Sequence, residues 1–177
     1  MQQETLLQPD KTIVLVGLMG CGKSTIGKRL AKKIGLPFID LDTRIEEITN
    51  LPVKEIFARH GEAYFRALET ETIKQLLDGT QAVIATGGGA FINDEIRSLI
   101  KAKSISVWIN ADLQTLVERV SRRNTRPLLE NGNKAEILKD LMEKRYPIYQ
   151  QADITVLTSQ GTHEVVLRSI MEAIARL

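Results

Sequence analysis

The segment VGLMGCGKSTIGKRL, residues 16–30, is the most informative part of this sequence. It fits the phosphate-loop template G-x-x-x-x-G-K-[ST], with Gly17, Gly22, Lys23 and Ser24 at the specified positions. It follows an apolar, β-branched run and opens a helical pattern, so its backbone N–H groups are expected to converge on phosphate oxygens at the positive end of a helix. A glycine-rich turn without a ligand is the alternative. The motif and its context favour a nucleoside triphosphate site.

Composition and charge are those of an ordinary globular protein. The 177 residues, 43% of them hydrophobic, predict one domain over 11–177, preceded by a frayed polar tail at 1–10. The net charge is only +2, from 24 basic and 22 acidic residues, which does not predict a nucleic-acid partner. No apolar run reaches the roughly 18 residues of a membrane span, and one cysteine fits a reducing compartment. These observations predict a cytoplasmic protein that binds no membrane. A monomer is also expected.

Apolar runs alternate with helical patterns along the chain. This alternation predicts an α/β fold, in which a five-stranded parallel sheet carries helices on both faces. Two of the helices, 53–59 and 62–77, are expected to be separated at Gly61. Ligands of such a sheet bind at the carboxyl ends of its strands. The predicted strands span residues 11–16, 36–42, 82–86, 104–109 and 153–157.

Two acids, Asp40 and Asp42, end the second predicted strand. Residues i and i+2 of an extended segment point the same way, so both carboxylates are expected to project beside the phosphates. One can organise a hydrated metal, and the other can accept a hydrogen bond or a proton from an attacking hydroxyl. Alternatively they are turn and N-cap aspartates, with Asp42 capping the next helix. The third strand ends at Thr86 without the acid that motor ATPases and GTPases usually carry there.

A glycine run and an ion pair are the candidate features for a second ligand. The run 87–89 follows the third strand and is expected to let backbone approach a small molecule, although a loose turn is the alternative. Arg66 and Glu69 lie at i, i+3 of a predicted helix. Such a pair is usually a solvated surface bridge. Here Glu69 could instead fix the guanidinium for bidentate capture of a carboxylate.

Four arginines lie in the segment RVSRRNTRPLL, residues 119–129. A solvated face or a nucleic-acid patch would explain a charge run of this kind. No aromatic residues are interleaved, which weakens the nucleic-acid interpretation. A short lid over residues 122–134 that closes over phosphates is favoured, and Arg145 lies on the helix that returns from it. The four arginines are Arg119, Arg122, Arg123 and Arg126.

Four other side chains are less informative. His60 and His163 are isolated and are assigned no role. Trp108 lies in a buried-strand pattern and is expected in the core. Cys21 is either a small residue that fits a tight loop or a thiol activated by the neighbouring helix N-terminus.

Six segments, taken in order, resemble the shikimate kinase family. They are GLMGCGKSTIGKRLA, FIDLDTRIE, IFARHGEAYFRALE, ATGGGA, RNTRPLL and KRYPIY, and the resemblance covers residues 11–177. It implies the nucleoside-monophosphate-kinase type of P-loop kinase fold. It also implies Mg²⁺-dependent transfer of the ATP γ-phosphate to the 3-hydroxyl of shikimate. The products would be shikimate 3-phosphate and ADP, in the route to chorismate and aromatic amino acids.

The resemblance also implies roles for individual residues. Asp42 would contact the shikimate hydroxyls and serve as the candidate base, and Glu69 would orient Arg66. Arg126 would act catalytically on the phosphates from the lid, and Gln160 would contact the adenine side. For ATP, the implied positions are Gly20, Cys21, Gly22, Lys23, Ser24 and Thr25, and Lys23 is also implied to be catalytic. For Mg²⁺ they are Ser24 and Asp40. For shikimate they are Asp42, Arg66, Gly88 and Arg145, with a shikimate-binding helical region over 42–78.

Other functions remain compatible with the residues alone. Another small-molecule kinase, such as a gluconate kinase, would use the same loop, and TRPLL is similar to the lid of adenylate kinases. However, the region between Asp42 and Ala82 lacks an obvious nucleoside-monophosphate pocket. A non-catalytic nucleotide-binding regulator would keep the loop and lose the chemistry, but the presence of Asp42, Arg66 and Arg126 together favours an enzyme.

Overall fold

The computed structural model describes residues 9–122, 133–158 and 161–177. In these ranges strands and helices alternate. The strands are β1 (Thr12–Val16), β2 (Phe38–Asp40), β3 (Val83–Ala85), β4 (Ser104–Asn110) and β5 (Ile154–Leu157). The helices are α1 (Lys23–Ile34), α2 (Leu41–Thr49), α3 (Val53–Asp78), α4 (Asp94–Lys103), α5 (Leu113–Ser121), α6 (Lys134–Tyr149) and α7 (His163–Ala175).

The five strands form one parallel sheet in the order β2-β3-β1-β4-β5. This confirms the predicted α/β fold. β1 lies at the centre, and its apolar residues from Ile13 to Val16 are completely buried, because helices cover both faces of the sheet. β1 and β3 are neighbours with Leu15 opposite Ala85. The loop after β1 and the glycine run after β3 therefore leave the same edge of the sheet, side by side.

α1 packs on the sheet through the apolar stripe that its sequence predicts. Ile26, Leu30, Ala31 and Ile34 are buried, while Lys28, Arg29 and Lys32 are exposed on the opposite face. The helix ends at Gly35 in the left-handed region, where the Gly35 N–H donates to the Ala31 carbonyl. Within the described residues, none of the helices combines the length and the apolarity needed to cross a bilayer.

α3 contains the break that Gly61 predicts, although as a kink rather than as a loop. Gly61 has φ 82° and ψ 173° inside an otherwise continuous helix of 26 residues. Only glycine adopts this backbone conformation at low cost. The kink separates a segment that starts beside α2, where the Val53 N–H donates to Glu46 Oε1, from a segment that carries Arg66 to the glycine run.

Candidate active site

The loop after β1 ends at Gly22, whose φ of 100° places it in the left-handed region. Lys23 begins α1. Gly22 has no side chain to cap α1, and the first turn of α1 carries no acid. The backbone N–H groups of this turn can therefore donate to the oxygens of an anion. Lys23 is buried, and its Nζ donates to the carbonyl oxygens of Gly17 at 2.7 Å and Leu18 at 3.0 Å. The loop thus joins a helix N-terminus to an enclosed cation.

Ser24 and Asp40 place a hydroxyl oxygen next to a carboxylate at the start of α1. Ser24 Oγ donates to Asp40 Oδ2 at 2.7 Å. The other carboxylate oxygen of Asp40 accepts the Thr43 N–H at 3.1 Å and caps α2, which fixes the carboxylate. A hydroxyl and a carboxylate with this spacing suit Mg²⁺, which binds one or two protein oxygens together with phosphate oxygens and water.

The position of Asp42 corrects the geometry expected from the sequence. β2 ends at Asp40, and Asp42 lies in the first turn of α2, so the two acids do not project from one extended strand. Asp42 is not the cap of this helix either, because Asp40 is. Both nevertheless line the same cleft. The Asp42 carboxylate packs against the glycine run, since a Cβ added to Gly87 would lie 3.0 Å from Asp42 Oδ1.

Two guanidinium groups converge on the rest of the glycine run. Arg145 Nη1 would lie 3.3 Å from a Cβ at Gly88, and both Arg66 Nη atoms would lie 2.7 Å from a Cβ at Gly89. Glu69 holds Arg66 in place, because its Oε1 accepts a 2.9 Å hydrogen bond from Arg66 Nη1. The predicted Arg66–Glu69 pair is thus confirmed, and Glu69 is completely buried rather than solvated. This geometry suits a small carboxylate.

Burial also shifts the titration of Glu69. Loss of solvent raises the pKa of this carboxyl above its ordinary value, and this effect outweighs the lowering caused by the Arg66 guanidinium. The Asp42 carboxylate raises it further, and Arg145 opposes that rise. The three charged groups therefore share one electrostatic environment around the glycine run.

A cleft of about 370 Å³ extends from the phosphate loop to Asp42 and the start of the glycine run, within the usual size range of small-molecule sites. Arg66 and Arg145 contact the glycine run next to this cleft and are not among the described residues that line it. The cleft is open at one side, and polar side chains and glycines supply most of its wall. The described residues that line it are Gly20, Gly22, Lys23, Ser24 and Thr25 from the loop and α1; Asp40 and Asp42; Thr86, Gly87 and Gly88; Arg119, Val120 and Arg122; and His163.

Arg119, Arg122 and His163 are cleft residues to which the sequence assigned no particular role. Arg119 Nη1 donates to the carbonyl oxygens of Cys21 at 2.9 Å and Gly20 at 3.3 Å, so α5 supports the phosphate loop. His163 begins α7, the helix that follows β5, and lines the cleft. Its position after the fifth strand was the feature of the sequence that could have predicted a place in the site, because ligands bind at the carboxyl ends of the strands. His60 is exposed on α3 and stacks near Tyr64.

The other two uncertain side chains are buried. Cys21 is 1% exposed, which favours the small residue of a tight loop over an accessible thiol. Trp108 is 3% exposed, as expected of a core residue. Arg123, Arg126 and Gln160, with nearly all of the predicted lid, lie outside the described residues.

The parallel sheet, the phosphate loop at the end of its central strand and the acid-lined cleft define a P-loop kinase. Comparisons with known proteins agree with this class. A family model described as shikimate kinase matches residues 19–175. The chain belongs to the shikimate kinase family. The predicted family is therefore confirmed, and family membership makes the chain an ATP-dependent kinase acting on shikimate.

Individual relatives support the same assignment. The shikimate kinase of Brucella canis is 47% identical over 98% of this chain and 88% of its own length. A solved shikimate kinase from Acinetobacter baumannii, in complex with shikimate, superposes with a TM-score of 0.90 at 35% identity over 97% of this chain and 95% of that one. A gluconokinase from Sinorhizobium meliloti has a TM-score of 0.64 at 18% identity, covering 96% and 94% of the two chains, and shares the fold alone. The gluconate-kinase and regulator alternatives are disfavoured.

Proposed function

We propose that the cleft binds MgATP at the phosphate loop and shikimate at the glycine run, and transfers the γ-phosphate to the 3-hydroxyl of shikimate. One observation carries this proposal. A carboxylate and two guanidiniums, from Asp42, Arg66 and Arg145, meet at the glycine run beside the phosphate loop. Shikimate is a small anionic triol, and this set offers cations for its carboxylate and an acid for its hydroxyls.

The phosphate end of the cleft holds the triphosphate through backbone N–H groups of residues 20–25. Lys23 Nζ exchanges the carbonyl oxygens of Gly17 and Leu18 for β- and γ-phosphate oxygens, and it stabilises charge that develops during transfer. Ser24 and Asp40 would hold Mg²⁺, Ser24 directly and Asp40 through water. When bound, the metal would neutralise phosphate charge and help to align the reacting oxygens.

The acceptor end of the cleft orients the hydroxyl-bearing ring of shikimate. Arg66, fixed by Glu69, and Arg145 bind the shikimate carboxylate, and the backbone of Gly88 adds a further polar contact. Asp42 accepts a hydrogen bond from the attacking hydroxyl, and takes its proton as the bond to phosphorus forms. Held this way, the hydroxyl faces the γ-phosphate along the line of transfer.

Two further contacts are proposed for residues outside the described ranges. The family resemblance puts the lid arginine at Arg126, where its guanidinium would neutralise charge on the transferring phosphoryl group. It puts the adenine-side contact at Gln160. Closure of a lid over 122–134 would exclude water from the cleft and limit wasteful hydrolysis of ATP.

We also infer that the enzyme works as a monomer in the cytoplasm. Asp42, Arg66 and Arg145 already lie together at the glycine run of a single chain, so the proposed acceptor site needs no residue from a second copy. A single cysteine suits a reducing compartment. Light scattering on the purified protein and fractionation of cells that express it would check these two points.

ADP release in a coupled assay tests the proposed reaction. Purified enzyme with MgATP receives shikimate, gluconate or AMP in separate reactions, with a reaction without acceptor as the blank. Shikimate-dependent ADP release and a product with the mass of shikimate phosphate are expected. Comparable ADP release with gluconate or AMP would contradict the acceptor assignment. If none of the three compounds raises ADP release above the blank, the kinase activity is contradicted.

A further inference from the structure

The hydroxyl of Tyr149 is buried beneath the glycine run. Tyr149 is the last residue of α6 and is completely enclosed, and its hydroxyl donates a hydrogen bond to the carbonyl oxygen of Gly88. In a planar trans peptide the C=O and the following N–H point in opposite directions. Since the Gly88 carbonyl points down to Tyr149, the Gly89 N–H points up and away from the core. The phenol thereby fixes the orientation of the Gly88–Gly89 peptide.

The same hydroxyl also interacts with Arg145, which lies one turn earlier on α6. A phenol can donate one hydrogen bond and accept others. Its proton is engaged by the Gly88 carbonyl, so its oxygen lone pairs face the Arg145 guanidinium. Burial raises the pKa of Tyr149 well above its ordinary value, which keeps the hydroxyl protonated as a donor. The Tyr149 hydroxyl therefore interacts with both the Gly88 carbonyl and the Arg145 guanidinium, two groups of the proposed acceptor site.

Aromatic packing fixes the position of this hydroxyl. The Tyr149 ring lies among Trp108, Tyr146 and Phe91, with centroid distances of 5.9, 6.1 and 6.5 Å. Trp108 in turn lies next to the phosphate loop, since its Cδ1 would be 3.5 Å from a Cβ at Gly17. A ring enclosed on several sides cannot swing its hydroxyl without repacking the core.

We propose that Tyr149 is a positioning residue for the acceptor: its hydroxyl sets the Gly88–Gly89 peptide and the Arg145 guanidinium in the geometry that binds a carboxylate. This inference rests on the proposed shikimate site. Tyr149 lies below the cleft and does not contact the acceptor, so its effect passes through the two groups that it holds. Losing the hydroxyl should weaken acceptor binding while leaving the nucleotide end unchanged.

Two phenylalanine variants of the same helix test the proposal. Tyr149→Phe keeps the ring and removes the hydroxyl. Tyr146→Phe is the matched control, because Tyr146 belongs to the same aromatic cluster and its hydroxyl donates at 2.6 Å to Ala111, away from the glycine run. Leaving a buried carbonyl without its hydrogen bond corresponds to roughly a 5- to 150-fold change in an equilibrium constant. Tyr149→Phe should raise KM for shikimate by about tenfold on that basis, with KM for ATP unchanged. Tyr146→Phe should leave both KM values within about twofold.

Other results would overturn the inference. If the two variants raise the shikimate KM equally, or Tyr149→Phe folds and leaves it unchanged, Tyr149 acts on stability alone. Thermal unfolding of both variants separates these effects from a general loss of structure. Wild-type enzyme that releases ADP with shikimate in the same assay keeps the proposed function intact even when the Tyr149 inference fails. Wild-type enzyme that does not release ADP overturns both.

Amide hydrogen exchange gives a readout that does not depend on the variant folding. In the wild-type enzyme, the Gly89 N–H should exchange more slowly when shikimate is added, because the peptide orientation set by Tyr149 presents this N–H to the acceptor. Unchanged exchange at Gly89, under conditions where shikimate saturates the enzyme, would overturn the proposed peptide orientation.

Discussion

Glu69 lies completely buried under Arg66, and its Oε1 accepts a 2.9 Å hydrogen bond from the Arg66 Nη1 atom. The arginine side chain is 29% exposed, whereas that of the glutamate is 1% exposed. The pair therefore presents a guanidinium to the cleft and keeps its counter-charge inside the protein. An anionic ligand can then meet the cation without facing the carboxylate directly. The following predictions start from this pair and move towards the phosphate loop.

Glu69→Gln should flatten the dependence of stability on acidic pH. Burial raises the pKa of Glu69 in the folded state, so folding favours its protonated form. Its stabilising contribution is present below the ordinary pKa of about 4.5, and is lost as the pH rises through the higher folded pKa. The free energy of unfolding of the wild type should therefore decline relative to that of the variant as the pH increases from about 4.5. Urea unfolding at a series of pH values measures this difference, and parallel profiles would contradict it.

Asp42→Asn tests the proposal that this acid faces the attacking hydroxyl. We expect the variant to lose roughly 3–5 kcal/mol of transition-state stabilisation, as calculated from kcat/KM for shikimate. ATP binding should change little. Steady-state kinetics and calorimetric titration of the nucleotide measure the two effects. Asp78→Asn is the control, because Asp78 forms an exposed ion pair with Lys103 at the end of α3. Near-normal turnover of Asp42→Asn would remove Asp42 from the chemistry.

Asp40→Asn should raise the requirement for Mg²⁺ more than it destabilises the fold. Asparagine can still accept the Thr43 N–H and cap α2, so the loss of stability should be below about 1 kcal/mol. An amide nitrogen cannot accept from Ser24 or a metal-bound water, so half-maximal activity should need several-fold more free Mg²⁺. Activity measured against free Mg²⁺ at fixed ATP checks this expectation. An unchanged Mg²⁺ profile would separate Asp40 from metal binding.

Arg126→Ala tests the proposed lid arginine. Because a lid arginine acts mainly on charge in the transition state, kcat should fall by roughly 10³, while shikimate affinity stays nearly intact. Arg59→Ala is a suitable control, since Arg59 forms an exposed pair with Glu55 on α3. A variant in which only KM for shikimate rises would place Arg126 in ground-state binding instead.

The local sequence pattern was sufficient to predict the sheet and the phosphate loop. Continuous β-branched runs predicted the buried strands, and the spacing from Gly17 to Ser24 placed the loop before α1. Asp42 shows where pattern was insufficient. Asp40 caps α2, and this bond ends β2 after three residues, so the extended geometry expected of the two acids does not form. Helix capping and strand extension compete for the same residues, and the sequence carries both signals.

Residues brought in from distant parts of the chain were the hardest to predict. Tyr149 and Gly88 are 61 positions apart, and no local period connects them. Arg119 and His163 reach the cleft because β4 pairs with β1, and β5 pairs with β4. Burial of Glu69 likewise depends on how α3 bends at Gly61 and packs, although its partner Arg66 was predicted from helical spacing.

The hydrogen bonds of Lys23 to its own loop affect the thermodynamics of nucleotide binding. Its ammonium group has already left bulk water and is solvated by the carbonyl oxygens of Gly17 and Leu18. Binding of a triphosphate is therefore an exchange of one set of protein-provided oxygens for another, and the large cost of dehydrating a free ammonium is met during folding. The loop is therefore a preorganised phosphate site. Its selectivity depends on how much stronger the hydrogen bonds of the Lys23 ammonium are to phosphate oxygens than to peptide carbonyl oxygens.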